Sequence, residues 1–428
     1  MQQETTKKSF TQNSPFILIL ICFAVYFIAY LGRYSYSSNI NRVIDYFNLN
    51  RAEAGSVGTY FFVSYGIGQV FHGLMCKKYN PRYAIFLALF ISAASNLAVV
   101  FTNENSFNLL KIYWLVNGFA QATLWSSLIR LLNTSLPKKK LSTAVFIMGL
   151  PVSAGTFAIY GLSSLMSAIE LSFKSVFVIS AILLLVISII WFLFVDKLKD
   201  ASNSQKEEGE IQAEQSNASS NVKEKLPTAF LVTFSLLALF AVANNFVKDG
   251  LTTWMPTILK EEYSLTNSIS TFLTLFLPFF AVFGSTFAIF LNKKLKNYIL
   301  VCGVLYLLSF VLFIAVILLL KQDFWLYPLV CFIIIACAMS GVNNVITNIF
   351  PMLYSSKINS GAIAGVLDGF CYIGSAITAY GMGKVADNYG WNKVFYFFIA
   401  VCCVMMLLSI AYIVVSKLIE KTKNKQQN

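Results

Sequence analysis

Charged residues are scarce in this chain, and their scarcity excludes most soluble folds. Asp, Glu, Lys and Arg make up 12% of the 428 residues, whereas a soluble domain carries roughly a quarter charged residues. Apolar residues account for 57% of the chain, and phenylalanine alone occurs 39 times. Apolar windows of about 20 residues, long enough to cross a hydrocarbon core of roughly 30 Å, recur about twelve times. The composition therefore predicts an all-α integral membrane protein.

The sequence also lacks the motifs of enzymatic chemistry. Histidine occurs once, and the catalytic carboxylate pair, the HExxH helix, the phosphate-cradling glycine loop and the nucleophile elbow are all missing. Seven of the eight cysteines fall within predicted spans, and none forms a CxxC pair. We therefore expect no enzymatic activity, no cofactor, no metal site and no disulfide.

Acidic residues are missing from the short loops on one side of the predicted membrane. Those loops carry Lys77, Lys78 and Arg82, then Lys138, Lys139 and Lys140, then Lys293, Lys294 and Lys296. Loops on the other side mix signs, as in Arg42 and Asp45. The positive-inside rule then predicts a multi-pass protein of the cytoplasmic (plasma) membrane with both termini in the cytoplasm. Because the cations lie in short clusters between apolar spans, we expect no nucleic-acid partner.

A polar stretch without aromatic residues divides the chain. Residues 196–227 mix charges and cannot bury enough apolar surface to fold. This pattern predicts a disordered cytoplasmic linker between a six-helix bundle at 1–195 and a second six-helix bundle at 228–416. Residues 417–428, rich in lysine, are predicted to form a cytoplasmic tail.

The two halves repeat one another at an offset of about 215 to 220 residues. GQVFHGLMCKKYNPRY from Gly68 aligns with GSTFAIFLNKKLKNY from Gly284, and GTFAIYG from Gly155 aligns with GSAITAYG from Gly374.

The same offset carries Arg33 onto Lys248, two cations inside apolar spans. A charge near the middle of a membrane helix is costly and usually faces a cavity or a partner. A parallel repeat would place both cations at equal depth, facing each other across a central cavity, so the sequence predicts an anion site.

Longer motifs give the chain a family resemblance. The six-plus-six arrangement, the long central loop and the glycine-and-basic loops after the second and eighth helices resemble the major facilitator superfamily. Its organophosphate:phosphate antiporter branch is similar in four segments: YFIAYLGR from Tyr26, GLMCKKYNPR from Gly73, NGFAQATLWSSLIR from Asn117 and KDGLTTWMPTIL from Lys248. The resemblance implies twelve transmembrane helices in two pseudo-symmetric bundles. It also implies a monomeric secondary transporter that moves an organic phosphate or similar small anion by alternating access, in exchange for inorganic phosphate.

We further predict that Arg33 and Lys248 clamp the anion, with other side chains binding the rest of the solute. Those side chains are Tyr26, Tyr30, Tyr65, Gln69, Gln121, Trp125, Asn344, Asp368 and Tyr372. Tyr26, Tyr30 and Arg33 recur at i, i+4 and i+7 and therefore share one helical face. The tyrosines could instead serve in packing or in the interfacial aromatic belt. The amide side chains could instead form hydrogen bonds between helices.

Two acidic residues in the second half lie within or next to the predicted anion site. Asp368 stands inside the eleventh span, at a position usually uncharged in the branch; it would pair with Lys248, carry a proton, or pack near the cytoplasmic vestibule. Asp249 follows Lys248 directly, so a helix turns it about 100° away. We expect Asp249 to face another helix or the outer vestibule.

Two other functions fit the same residues. The chain would be a membrane sensor of sugar phosphates that binds without net transport, or a proton-coupled carrier of a carboxylate or a sugar. In the second case Asp368 would be the coupling group.

Overall fold

The computed structural model describes residues 2–75, 78–210, 228–320, 324–353 and 360–427, and within these ranges the chain is helical with no strand. The α-helices are α1 Gln2–Tyr34, α2 Ile40–Phe47, α3 Arg51–Met75, α4 Pro81–Ala98, α5 Phe107–Ser135, α6 Lys138–Ala168, α7 Lys174–Glu210, α8 Thr228–Tyr263, α9 Asn267–Thr274, α10 Phe276–Leu295, α11 Tyr298–Leu319, α12 Leu326–Asn344, α13 Phe350–Leu353, α14 Ser360–Tyr389 and α15 Trp391–Gln427.

Ten segments of the described chain are long and apolar enough to cross a membrane. They are Pro15–Tyr34, Pro81–Phe101, Thr143–Ala168, Lys174–Leu198, Phe230–Tyr263, Asn267–Leu295, Tyr298–Leu319, Leu326–Leu353, Ile363–Tyr389 and Trp391–Leu418. The other two predicted spans coincide with α3 and α5, which are 25 and 29 residues long and lie outside these ten segments. The protein is therefore an all-α, multi-pass membrane protein with twelve membrane helices, as predicted.

Packing divides the chain into two compact units. Unit 1 comprises Met1–Tyr36 and Ser64–Lys225, and unit 2 comprises Ser37–Val63 and Leu226–Asn428. The predicted bundle at 1–195 therefore differs from unit 1 in two places: Ser37–Val63 groups with unit 2, and unit 1 extends to Lys225. Hydropathy could not assign Ser37–Val63, because membership of a bundle depends on contacts made with distant parts of the chain.

Helices extend into both the predicted linker and the predicted tail. Helix α7 continues through the first part of 196–227 and ends at Glu210, since its lysine, glutamine and glutamate residues are good helix formers. Residues 211–227 lie outside the described ranges, so the linker stays a prediction there. Helix α15 runs on to Gln427, through most of the predicted tail.

Glycines bring the helices of each unit into close contact. In unit 1, α1 packs against α6 and α7, and in unit 2, α8 packs against α14. A Cβ on Gly155 of α6 would lie 2.7 Å from the Phe27 carbonyl oxygen of α1. A Cβ on Gly374 of α14 would overlap the Val242 carbonyl of α8. Only glycine permits such a close approach of two helix backbones within a membrane.

These glycine contacts fix the register of the internal repeat. Gly155 and Gly374 are the aligned glycines of the two halves, and the carbonyls they meet belong to Phe27 and Val242. Arg33 lies six residues after Phe27, and Lys248 lies six residues after Val242. The two cations therefore occupy equivalent positions on the first helix of their respective halves.

Segment Ser37–Val63 is held in unit 2 by ion pairs. Arg51, the first residue of α3, contacts Glu261 of α8 at 2.6 Å and Asp387 of α14 at 3.1 Å. The Asp387 carboxylate also accepts hydrogen bonds from the backbone N–H groups of Arg51 and Ala52, and so caps the start of α3. Lys260 of α8 pairs with Asp45 of α2 at 2.8 Å.

The close approach of α8 and α14 predicts the effect of one methyl group. Gly374→Ala should lower the free energy of unfolding by roughly 1–3 kcal/mol, because the added carbon must push the two helices apart. Thermal unfolding of the detergent-purified protein measures the change. Gly381→Ala is the matched control on the same helix, since the nearest atom to its Cβ would be 4.0 Å away. Equal stability of the two variants would contradict the packing.

Candidate functional site

Unit 1 contains a buried cation surrounded by aromatic and amide side chains, here called the arginine cluster. Its members are Tyr26, Tyr30, Arg33, Tyr65, Gln69, Asn117, Gln121 and Trp125. Arg33 lies in the last turn of α1 and is 5% exposed. Its Nε donates to Gln121 Oε1 at 3.3 Å, and its Nη1 donates to the Tyr30 hydroxyl at 3.2 Å. Both of these partners are neutral side chains.

Two phenol rings stack on the guanidinium. The Arg33 Cζ lies 4.1 Å from the centre of the Tyr65 ring and 4.6 Å from that of the Tyr30 ring. At these distances the negative faces of the rings stabilise the cation without neutralising it. Helix α3 supplies one ring and α1 the other, because Tyr30 and Arg33 are three residues apart on one helical face.

Amide hydrogen bonds fix the other partner of Arg33. Gln121 Nε2 donates to Asn117 Oδ1 at 3.0 Å, one turn earlier on α5, and Asn117 Nδ2 donates to the Gly32 carbonyl at 3.3 Å. Gln121 is thereby held with its oxygen toward the guanidinium. Gln69 Nε2 donates in a similar way to the Tyr65 hydroxyl at 3.3 Å.

An aromatic wall extends the cluster along α1. The Tyr26 ring centre lies 5.2 Å from that of Tyr30 and 5.3 Å from that of Trp125 on α5. All seven residues that the sequence assigns to the site within unit 1 thus come together, and Asn117 joins them. Helices α3 and α5 supply the amide side chains of the cluster, Gln69, Asn117 and Gln121.

Unit 2 contains the second cation, in what is here called the lysine cluster. Its members are Asn245, Lys248, Asp249, Asp368, Cys371 and Ser375. The Lys248 Nζ lies 3.7 Å from Asp249 Oδ1, and the two side chains are 27% and 6% exposed. Asp249 Oδ2 accepts hydrogen bonds from Ser375 Oγ at 2.5 Å and from Asn245 Nδ2 at 3.2 Å. The Asp249 carboxylate thus contacts two hydrogen-bond donors and one ammonium group.

Asp249 contacts both a neighbouring helix and Lys248, and only the first contact is predicted from the sequence. The expectation that it faces another helix holds, because its carboxylate bonds to Ser375 of α14. It also pairs with Lys248, which was not expected of neighbours about 100° apart on a helix. The long, flexible lysine side chain bridges that angle. Asn245 and Ser375 were missed as well, although Asn245 and Asp249 stand at i and i+4, the spacing of facing polar pairs.

Asp368 lies one turn before the Cys371–Ser375 segment of α14 and is half-buried. Asp368 and Lys248 are both close enough to the Cys371 thiol to act on it electrostatically. Their direct pairing stays a prediction.

Two predicted residues of unit 2 make packing contacts. Asn344 donates to the Ser285 carbonyl at 3.4 Å and accepts from Asn348 at 2.7 Å, at the start of a π-helical turn Val345–Ile349. Such turns occur frequently at functional sites. The bond from Asn344 to Ser285 of α10 is the interhelical bond that the sequence leaves as an alternative, and the bond from Asn348 lies within one helical segment. The Tyr372 ring stacks on Phe62, with ring centres 6.3 Å apart.

In the described part of the chain, no group of three or more His, Cys, Asp or Glu side chains is arranged to hold a metal ion.

Comparison with known proteins identifies what the chain is similar to. The family model for the Major Facilitator Superfamily matches residues 22–379. The glycerol-3-phosphate transporter of Bacillus subtilis (strain 168) is 24% identical over 397 residues, covering 88% of this chain and 88% of the relative. A probable hexose phosphate transport protein of Chlamydia trachomatis is 23% identical over 411 residues, covering 90% of this chain and 88% of the relative. Both relatives agree with the antiporter branch that the motifs resemble.

Solved structures agree at the level of the fold. The crystal structure of the D-xylose-proton symporter matches with a TM-score of 0.72 at 12% identity, covering 92% of this chain and 97% of that chain. At this low identity the match shows that the two proteins share a fold, and it gives no information about the solute.

The lysine cluster generates a prediction about charge pairing. If Lys248 and Asp368 neutralise each other, Lys248→Met and Asp368→Asn should each destabilise the protein, and the double variant should cost less than the sum. The expected coupling is roughly 0.5–3 kcal/mol in the free energy of unfolding, read from a double-mutant cycle in detergent. Additive losses would show that the two charges act separately.

Proposed function

This chain belongs to the Major Facilitator Superfamily, and we propose that it is a secondary active transporter of an organic phosphate or a similar small organic anion. It moves the solute across the cytoplasmic membrane by alternating access, in exchange for inorganic phosphate, with both termini in the cytoplasm. Arg33 and Lys248 bind the negative charge. The relatives named for glycerol-3-phosphate and hexose phosphate support this choice of solute.

The observation that carries the proposal is the buried Arg33. A cation inside a membrane helix is costly, and its retention indicates a function. The guanidinium offers planar N–H groups that match two phosphate oxygens at once. Its contacts with Tyr30, Tyr65 and Gln121 hold the planar guanidinium in place.

The rest of the arginine cluster suits an organic group attached to the phosphate. The hydroxyls of Tyr26, Tyr30 and Tyr65 donate or accept hydrogen bonds, and the amides of Gln69 and Gln121 do both. Trp125 and the tyrosine rings provide apolar surface for the carbon skeleton of a small polyol. Lys248 adds a compact charge with less directional preference than an arginine would have.

A second function is favoured by the acids of unit 2. Half-buried Asp368 lies in a membrane span, where carboxylates commonly carry protons in transporters. On this reading the chain is a proton-coupled carrier of a carboxylate or a sugar. A sensor that binds sugar phosphate without transporting it would use the same two clusters.

Removal of Arg33 tests the binding role. Arg33→Ala should lower uptake of labelled phosphate into proteoliposomes by roughly 30-fold or more, because a buried charge contact is lost. Arg33→Lys should retain part of the activity, since it keeps the charge and loses the planar fork. Normal thermal unfolding of both variants is the control for folding. Near-normal uptake by Arg33→Ala would remove Arg33 from the site.

Exchange generates a separate prediction. A phosphate ester carries about −1.5 to −2 charges near neutral pH. It offsets the charge of Arg33 and the part of the Lys248 charge that Asp249 does not neutralise, so the loaded carrier should change conformation faster than the empty one. Liposomes preloaded with phosphate should therefore take up labelled solute roughly tenfold faster than empty liposomes, without a pH gradient.

The same assay separates the alternatives. Uptake that requires an inward proton gradient would mean proton symport, with Asp368 as the first residue to replace. Binding without uptake under any gradient would mean a sensor.

A further inference from the structure

The two cations sit at equivalent positions of the repeat but in different electrostatic surroundings. Arg33 is followed by Tyr34, whose ring stacks on Tyr30 with centres 5.9 Å apart. Lys248 is followed by Asp249, whose carboxylate lies 3.7 Å from the Lys248 ammonium. Unit 2 therefore has an acid where unit 1 has a neutral aromatic residue.

Asp249 is held in place by its surroundings. Asp249 as a whole residue is 4% exposed. The two donors to its Oδ2, Asn245 and Ser375, are 4% and 0% exposed. Asn245 Nδ2 also donates to Ser375 Oγ at 3.1 Å, so the three side chains form one closed network between α8 and α14. Such a network fixes the carboxylate and leaves its Oδ1 toward Lys248.

An anion that binds Lys248 must compete with this carboxylate. We propose that Asp249 is a specificity-determining positioning residue: an internal counter-ion that weakens the hold of Lys248 on the anionic substrate and speeds its release. The inference rests on the proposed function, in which Lys248 binds the anion. A substrate can displace the contact with Lys248, but Ser375 and Asn245 keep Asp249 in place to re-form it when the substrate leaves.

The network makes opposite predictions for two of its members. Asp249→Asn keeps the shape of the side chain and removes the competing charge, so phosphate should bind roughly tenfold more tightly and turn over more slowly. Ser375→Ala removes the shortest hydrogen bond to Asp249 and leaves more of its charge available to Lys248. Phosphate should then bind about threefold more weakly.

The experiment compares binding with turnover. Calorimetric titration of the detergent-purified full chain with inorganic phosphate gives Kd, and phosphate exchange in proteoliposomes gives KM and kcat. Ser409→Ala is the matched control, because Ser409 is a buried serine of unit 2 that hydrogen-bonds the Ile299 carbonyl at 2.7 Å, outside the lysine cluster. It should leave Kd, KM and kcat unchanged.

The outcomes separate this inference from the proposed function. Lower Kd and lower kcat for Asp249→Asn, with higher Kd for Ser375→Ala, support the counter-ion role. A merely structural role would shift both variants in the same direction. If Asp249→Asn does not fold, an unchanged or lower Kd for Ser375→Ala still overturns the role. If Lys248→Gln weakens phosphate binding while Asp249→Asn and Ser375→Ala leave it unchanged, the counter-ion role is rejected and the proposed function stands. No phosphate binding by the wild-type protein rejects the proposed function together with it.

Discussion

A charge placed inside a membrane must find its stabilising partners within the protein, because the hydrocarbon supplies none. Much of the arrangement around the two clusters follows from this constraint. Arg33 is stabilised by ring faces and amide oxygens, and Lys248 by a carboxylate that needs donors of its own. The polar side chains of α3 and α5 meet that need in unit 1.

Precise placement of those partners depends on helices that pack at short range. Hydrocarbon does not drive membrane helices together as water drives a soluble core, so close backbone contact contributes more to their association. Gly155 of α6 and Gly374 of α14 allow that contact with α1 and α8, the helices that carry the two cations. Each glycine meets a carbonyl six residues before the cation, so the same packing positions the cation-bearing helix in both units.

The sequence predicts the helices and the arginine cluster well. Hydropathy locates spans because each span must be apolar along its own length, and the i, i+4, i+7 spacing of Tyr26, Tyr30 and Arg33 needs only helical geometry. The lysine cluster was predicted less completely. The contact of Asp249 with Ser375 joins residues that are 126 positions apart, and the ion pair with Lys248 depends on how a flexible chain bends. Neither is a property of a local pattern. The placement of Ser37–Val63 in unit 2 escaped prediction for the same reason.

That segment links distant parts of the gene. Arg51 belongs to the first half of the chain, while Glu261 and Asp387, which it contacts, belong to the second. Recombination between related genes at the central linker would take Arg51 from one parent and its two carboxylates from the other. The two halves, although they repeat one another in sequence, are therefore not interchangeable modules. They can be inherited separately only between parents that share this charge pattern.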